Sequence, residues 1–151
     1  MIPARIGSRR FPGKPLEKIL GKPMIGHVYD GVRKNTLLTS TVVATCDIEI
    51  ANYIKSIDGR YVMTSPHHKR ATDRCAEALE ILEEKNKLKY DIIVMVQGDE
   101  PMINPEMISE GLQPMIDDSS IQIINLMGRI ETETEFKDPN VVKVVCDIFE
   151  N

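Results

Sequence analysis

Short β-rich runs alternate with helix-length amphipathic stretches through most of this chain, and that alternation constrains its fold more than any other feature. Thr41-Val-Val-Ala-Thr45 reads as a strand. Residues 47–57 follow with Ile50, Ala51, Ile54 and Ile57 on one helical face, and Asp47 stands where an N-cap belongs. Arg60-Tyr-Val-Met63 is the next strand, and residues 72–86 the next helix, striped by Cys75, Ala78, Leu79 and Leu82. Ile92-Ile-Val-Met-Val96 is apolar throughout, the pattern of a parallel strand buried on both faces. Residues 105–117 form a helix opened by Pro105, which Pro114 is expected to break or kink. Ile121-Gln-Ile-Ile-Asn-Leu126 and Val141-Val-Lys-Val-Val145 complete the strands. Such a series implies βαβ units with right-handed crossovers, hence an α/β, doubly wound and mostly parallel sheet. At 151 residues, without repeat, low-complexity tract or linker, the chain reads as a single domain, 1–151.

Ligands of such sheets sit beyond the carboxyl ends of the strands, which directs attention to two loops. The first, Ile2-Pro-Ala-Arg-Ile-Gly-Ser-Arg-Arg-Phe-Pro-Gly-Lys-Pro-Leu16, places Arg5, Arg9, Arg10 and Lys14 within ten residues, with Gly7 and Gly13 freeing the backbone between them. A segment of this kind can curl around a polyphosphate, with amide N–H groups and guanidinium forks turned inward. A solvated basic loop is the alternative that the charges alone leave open. The loop is not a Walker A motif: five residues separate Gly7 from Gly13, and Lys14 is followed by Pro15. No G-x-G-x-x-G dinucleotide fingerprint occurs in the chain.

The second loop, Gln97-Gly-Asp-Glu-Pro101, ends the most apolar strand. A carboxylate is costly to bury unpaired at such a place, and Gly98 lets the backbone approach a ligand. The hard oxygens of Asp99 suit Mg²⁺, which takes one or two carboxylates together with phosphate oxygens and water. The alternative is that Asp99 and Glu100 merely cap a turn. Between these loops in sequence, His67, His68, Lys69, Arg70, Asp73 and Arg74 cluster where a strand gives way to a helix. Adjacent loop histidines chelate poorly together, so these two read as surface residues rather than metal ligands.

Composition closes off other classes. A net charge of −4 and a pI near 5.4 argue against general binding to nucleic acid or anionic membranes. The longest apolar runs are strand-length, so none spans a bilayer, and the first fifteen residues lack the apolar core of a signal peptide. Cys46, Cys75 and Cys146 lie far apart with no C-x-x-C spacing, as expected of reduced packing cysteines in a cytoplasmic protein.

The loop IPARIGSRRFPGKPL followed by GKPMIGHVYD resembles the opening of bacterial CMP-ulosonate synthetases, above all those acting on 3-deoxy-manno-octulosonate (Kdo). The likeness recurs at Val43-Ala-Thr45, Met63-Thr-Ser-Pro66, Thr72-Asp-Arg74, Val96-Gln-Gly-Asp-Glu-Pro101 and Asp138-Pro-Asn-Val-Val-Lys-Val-Val145, in order along the chain. It implies a Rossmann-like nucleotidyltransferase fold and a cytidylyltransferase that joins CMP from CTP to Kdo, with release of pyrophosphate, for lipopolysaccharide synthesis in the cytoplasm. By the same resemblance Arg10 and Lys14, supported by Arg5 and Ser8, hold the triphosphate. The backbone at Pro3-Ala4 and the loop with His68, Thr72, Asp73 and Arg74 select cytosine, Gln97 faces the sugar acid, and Asp99 binds the catalytic Mg²⁺. Lys14, Arg10 and Asp99 are then the catalytic set, with Glu100 a supporting acid and a second magnesium on the nucleotide phosphates.

Two positions depart from the family pattern. Arg70-Ala71 stands where the family has Ser-Gly, which removes glycine's backbone freedom and adds a cation. Cys46 stands where Asp is common. The family's first strand begins further upstream and its chain continues well beyond Asn151, so the sequence is expected to be the N-terminal portion of a longer, homodimeric enzyme, lacking the C-terminal part of the family fold. An acceptor other than Kdo, or a CTP-binding module without turnover, are the alternatives; partners other than CTP and an ulosonic acid, such as nucleic acid or membrane, are not expected.

Overall fold

The structure, a computed structural model, describes residues 1–7 and 11–145. Its central sheet is parallel: β1 (Ile2–Ala4), β4 (Val43–Thr45) and β5 (Tyr61–Met63) lie in the order β1-β4-β5, with Ile2 opposite Val43 and Val43 opposite Tyr61. A small antiparallel ribbon, β2 (Lys18–Ile19) and β3 (Lys22–Pro23), precedes helix α1 (Met24–Arg33). Helix α2 (Ile48–Ser56) joins β4 to β5, and α3 (Ala71–Asn86) follows β5. Helices α4 (Pro105–Asp117) and α5 (Glu133–Lys137) complete the elements.

Side chains alternate across the strands, so the sheet builds two cores. On one face Ile2, Ala4 and Val43 pack with Ile25, Val28, Tyr29 and Val32 of α1, Ile50 and Ile54 of α2, and Ile108 and Leu112 of α4. On the other, Ala44 and Val62 pack with Ala78 and Leu82 of α3. Helices on both faces of a parallel sheet make the doubly wound α/β arrangement that the alternation implies. Helix α1 was not anticipated, although Met24, Ile25, Val28, Tyr29 and Val32 follow helical spacing and all are buried.

The apolar run at 92–96 corrects an expectation. Met1 donates its amino group to the Val94 carbonyl (2.5 Å) and the Val96 N–H donates to the Met1 carbonyl (2.9 Å), the parallel pattern, on the side of β1 away from β4. The pairing is too short to form a regular strand. Only Val96 is fully buried; Ile92 and Val94 are half-buried and Ile93 and Met95 exposed. Residues 121–126 and 141–145, expected as strands, form none, because no described edge offers them a ladder; Val142 and Val145 are 90% exposed.

Pro114 does not end α4, which runs on to Asp117; the Asp118 N–H bonds back to the Pro114 carbonyl. Proline costs this helix one N–H, while Ile108 and Leu112 anchor the preceding turn. Among the described residues no helix is long and apolar enough to cross a membrane. Cys75 is buried, and burial pushes its thiol up, consistent with an inert packing cysteine; Cys146 lies outside the described residues.

Candidate functional site

The line 94–96, β1, β4, β5 reverses direction of progression between β1 and residues 94–96, so a crevice opens there beyond the carboxyl ends of the strands. A cavity of about 280 Å³ occupies that place. Three segments wall it: Pro3, Ala4 and Arg5 leaving β1, the turn at Gln97, Gly98 and Asp99, and the loop between β5 and α3 at His68, Lys69 and Arg70.

Backbone constraints set the two described ends of the first loop. Its neck closes where the Gly13 N–H donates to the Ile6 carbonyl (3.1 Å). Gly13 then takes φ +79°, the left-handed conformation that glycine adopts without penalty, and starts the 3-10 turn Lys14–Leu16. The Ile6 N–H is held by the Asp47 carboxylate at 2.7 Å. Asp47 does occupy the N-cap position of α2, but it makes no capping bond there and serves the loop instead, contrary to expectation. Lys14 is thereby delivered to the cavity, where its Nζ donates to Oδ2 of Asp99 at 2.8 Å across 85 residues of sequence. Gly98 packs so closely on β1 that a Cβ there would lie 2.7 Å from the Pro3 carbonyl oxygen.

Arg5, Lys14, Lys69, Arg70 and Arg74 line the cavity against the one carboxylate of Asp99 among the lining residues. Arg74 is only 3% exposed; its Nη1 donates to Thr64 Oγ1, while its buried Nη2 has no partner among the described residues. An orphaned guanidinium nitrogen in a cavity wall is costly until a ligand oxygen accepts from it. The site is therefore built for an anion of several charges, with a hard carboxylate facing the same space.

Of the residues singled out in the sequence, Pro3, Ala4, Arg5, Lys14, His68, Arg74, Gln97 and Asp99 all reach this cavity. Thr72 and Asp73 do not line it; they are exposed on the first turn of α3, where Asp73 sits favourably at a helix N-terminus. Glu100 also stays out, its N–H closing a turn onto the Gln97 carbonyl. Ser8 and Arg10, like Arg9, lie outside the described residues. No cluster of three or more potential metal ligands occurs among the described residues.

Sequence reasoning missed Glu77. Its Oε2 accepts from the Ser65 N–H at 2.7 Å and from Nε2 of His68 at 2.5 Å. The Ser65 N–H, then His68, hold its carboxyl below the usual carboxylate range. Its spacing three residues after Arg74, on the same helical face, was the available signal. A larger groove, about 660 Å³, lies at the opposite ends of the strands; aliphatic residues such as Leu38, Val42, Leu82, Ile92 and Leu112 dominate its walls.

Comparison with known proteins agrees with the geometry. The cytidylyltransferase family profile matches residues 1–150. The 3-deoxy-manno-octulosonate cytidylyltransferase of Geobacter metallireducens is 46% identical over 147 residues, 97% of this chain and 56% of that protein. The protein of the same name from Geotalea uraniireducens is 48% identical over the same shares. The chain thus spans somewhat more than half the length of these relatives. A solved structure of CMP:2-keto-3-deoxy-manno-octonic acid synthetase complexed with CTP superposes with a TM-score of 0.70 at 41% identity, covering 80% of this chain and 47% of that one. A cytidylyltransferase from Leptospira borgpetersenii shares the fold at 21% identity, with a TM-score of 0.64.

Proposed function

The chain belongs to the cytidylyltransferase family, and on that premise we propose that it carries the CTP-binding half of an enzyme transferring CMP from CTP to 3-deoxy-manno-octulosonate. The observation that carries the reading is the meeting of Lys14 and Asp99 inside a cationic cavity at the sheet's switch point. The anomeric hydroxyl of the sugar acid attacks the α-phosphorus; the new O–P bond forms as the bond to the β-phosphate breaks, pyrophosphate leaves, and the hydroxyl proton passes to solvent. No covalent enzyme intermediate is required, since positioning and charge neutralisation carry this chemistry.

Each wall of the cavity has a part. Lys14 and Arg5 hold the phosphates, with Arg10 and Ser8 of the same loop assigned by the family resemblance. Pro3 and Ala4 present backbone to the base, beside His68 and the orphaned Nη2 of Arg74, which takes a ligand oxygen. Thr72 and Asp73 support that side from the start of α3. Gln97 faces the sugar acid. Lys69 and Arg70 add two cations, so Arg70, standing where relatives of this pattern have serine, strengthens the grip on the anion.

The donor set fits Mg²⁺: a half-exposed Asp99 carboxylate leaves most of the coordination to phosphate oxygens and water, as this ion prefers. When bound, the ion neutralises charge developing on the phosphates. Asp99 would hold it, releasing Lys14 to the triphosphate. Residues 1–151 act in this reading as one nucleotide-binding unit of a homodimeric enzyme. Because CTP is a cytoplasmic metabolite, the reaction belongs in the cytoplasm, where its product would feed lipopolysaccharide synthesis.

The test is calorimetric titration of the chain with CTP, ATP, GTP and UTP, with and without Mg²⁺, followed by pyrophosphate release with Kdo as acceptor. Selective, Mg²⁺-strengthened binding of CTP is expected; equal affinity for all four nucleotides would overturn the reading. Since the chain spans 56% of its relative, a CTP-binding module without turnover is the second reading, and acceptor-dependent pyrophosphate release separates the two.

A further inference from the structure

The loop from Thr64 to Arg70 has no regular structure of its own, contains Pro66, and nonetheless supplies one wall of the cavity. Two side chains of α3 hold it. Arg74 donates to Thr64 Oγ1, and one turn later Glu77 accepts from the Ser65 N–H and from Nε2 of His68. A further bond, from the His67 N–H to Ser65 Oγ at 3.2 Å, folds the loop between these anchors. Glu77 does not line the cavity, whereas His68 does.

We propose that Glu77 is a positioning residue, which clasps the 64–70 loop at Ser65 and His68 and so sets the orientation and tautomer of the His68 ring in the nucleotide cavity; this rests on reading that cavity as a CTP site. An ionised carboxylate only accepts hydrogen bonds, so in the neutral form of the ring the proton stands on Nε2 and Nδ1 is left as the acceptor. A ligand donor, such as the exocyclic amine of cytosine or a ribose hydroxyl, is what that nitrogen can take. Both groups are partly shielded, with side-chain exposures of 22% for His68 and 32% for Glu77, so solvent competes less for the bond than on an open surface. Without Glu77, the Ser65 N–H and the His68 ring lose one shared acceptor together, and the loop loses the anchor that Arg74 cannot replace.

Two measurements test this on the 151-residue chain. In the nucleotide-free protein, ¹⁵N NMR reads the His68 ring nitrogens and the Ser65 amide. Glu77→Ala and the gentler Glu77→Gln are expected to shift both signals and to move His68 toward a mixture of tautomers, while amides in the middle of α3 stay in place. Unmoved His68 and Ser65 signals would overturn the clasp, whether or not CTP binds. Calorimetry with CTP then compares Glu77→Gln, His68→Ala and the double variant. A roughly tenfold loss of affinity is expected for Glu77→Gln, absent when His68 is already alanine, as coupled neighbours behave. Losses that multiply in the double variant, or an unchanged affinity in Glu77→Gln with wild-type binding intact, would refute positioning through His68. A wild-type chain that ignores CTP but shows the NMR shifts would instead refute the nucleotide reading and leave the clasp standing.

Discussion

Replacing Gly98 by alanine tests the link between packing and the site most directly. The added Cβ would lie 2.7 Å from the Pro3 carbonyl oxygen and 3.5 Å from both the Ala4 Cβ and Ile25 Cδ1. Carbon–oxygen contacts ordinarily settle at roughly 3.3–3.6 Å, so the 97–99 turn and β1 must separate by about 0.6 Å or more. Neither side yields cheaply. Pro3 is backbone of a fully buried strand paired to Ala44, and Ile25 is buried in the core. Overpacking of this sort costs about 1–3 kcal/mol, which for a chain of this length lowers Tm by about 2–12 °C. The same displacement carries Asp99 away from Lys14, so CTP binding in Mg²⁺ is expected to weaken along with stability. Thermal melting and calorimetry on the same preparation check the two effects together. A Gly98→Ala protein with unchanged Tm would refute the close approach, and lowered Tm with intact CTP affinity would refute the coupling between this turn and the site.

Asp99→Asn is expected to leave the fold intact, because the Lys14–Asp99 pair is substantially exposed, 37% and 50%, and exposed pairs contribute at most about 1 kcal/mol. On the proposed function, acceptor-dependent pyrophosphate release by the complete enzyme should vanish, and retained turnover would sink the metal assignment. Asp47→Ala strips the Ile6 N–H of its acceptor, so the protein should lose about 1–2 kcal/mol, seen as faster amide exchange at Ile6 and Gly13 and weaker CTP binding. The Glu77 carboxyl titrates below its unfolded value, so the native state binds fewer protons than the unfolded chain at mildly acidic pH. Its contribution is therefore complete above the ordinary glutamate pKa of about 4.3 and is lost as pH falls through the lower folded value. Melting curves of wild type and Glu77→Gln should accordingly converge in strong acid, and a constant gap from pH 7 to pH 3 would contradict the clasp.

Elements whose causes are local were legible in the sequence. Helix α3 spans Ala71–Asn86 against an expected 72–86, and α4 opens at Asn104, whose side chain accepts from the Met107 N–H, just before Pro105. Periodicity and capping depend on residues within a turn or two, so the chain carries them in plain order. Lys14 and Asp99, which the structure brings together, were also recognisable as candidates, since a lysine between glycine and proline and a carboxylate closing an apolar run stand out from ordinary loops and strands. The run at 92–96 shows the limit: its apolar character is encoded locally, but a strand needs a partner ladder, and among the described residues its ladder consists of the two hydrogen bonds at Met1, just ahead of β1.

By itself, then, the sequence determined the alternation of strands and helices, the family, and the residue types gathered at the carboxyl ends of the strands. Tertiary structure alone decided who meets whom. Asp47 looks like a helix cap and in fact serves Ile6, 41 residues away; Glu77 looks like one more acid on a solvated helix and in fact holds Ser65 and His68. A carboxylate has the same preferences at every position in the chain. Which N–H it satisfies depends on the orphan donor that folding brings within about 3 Å, and that proximity is a property of the packed sheet rather than of any stretch of sequence.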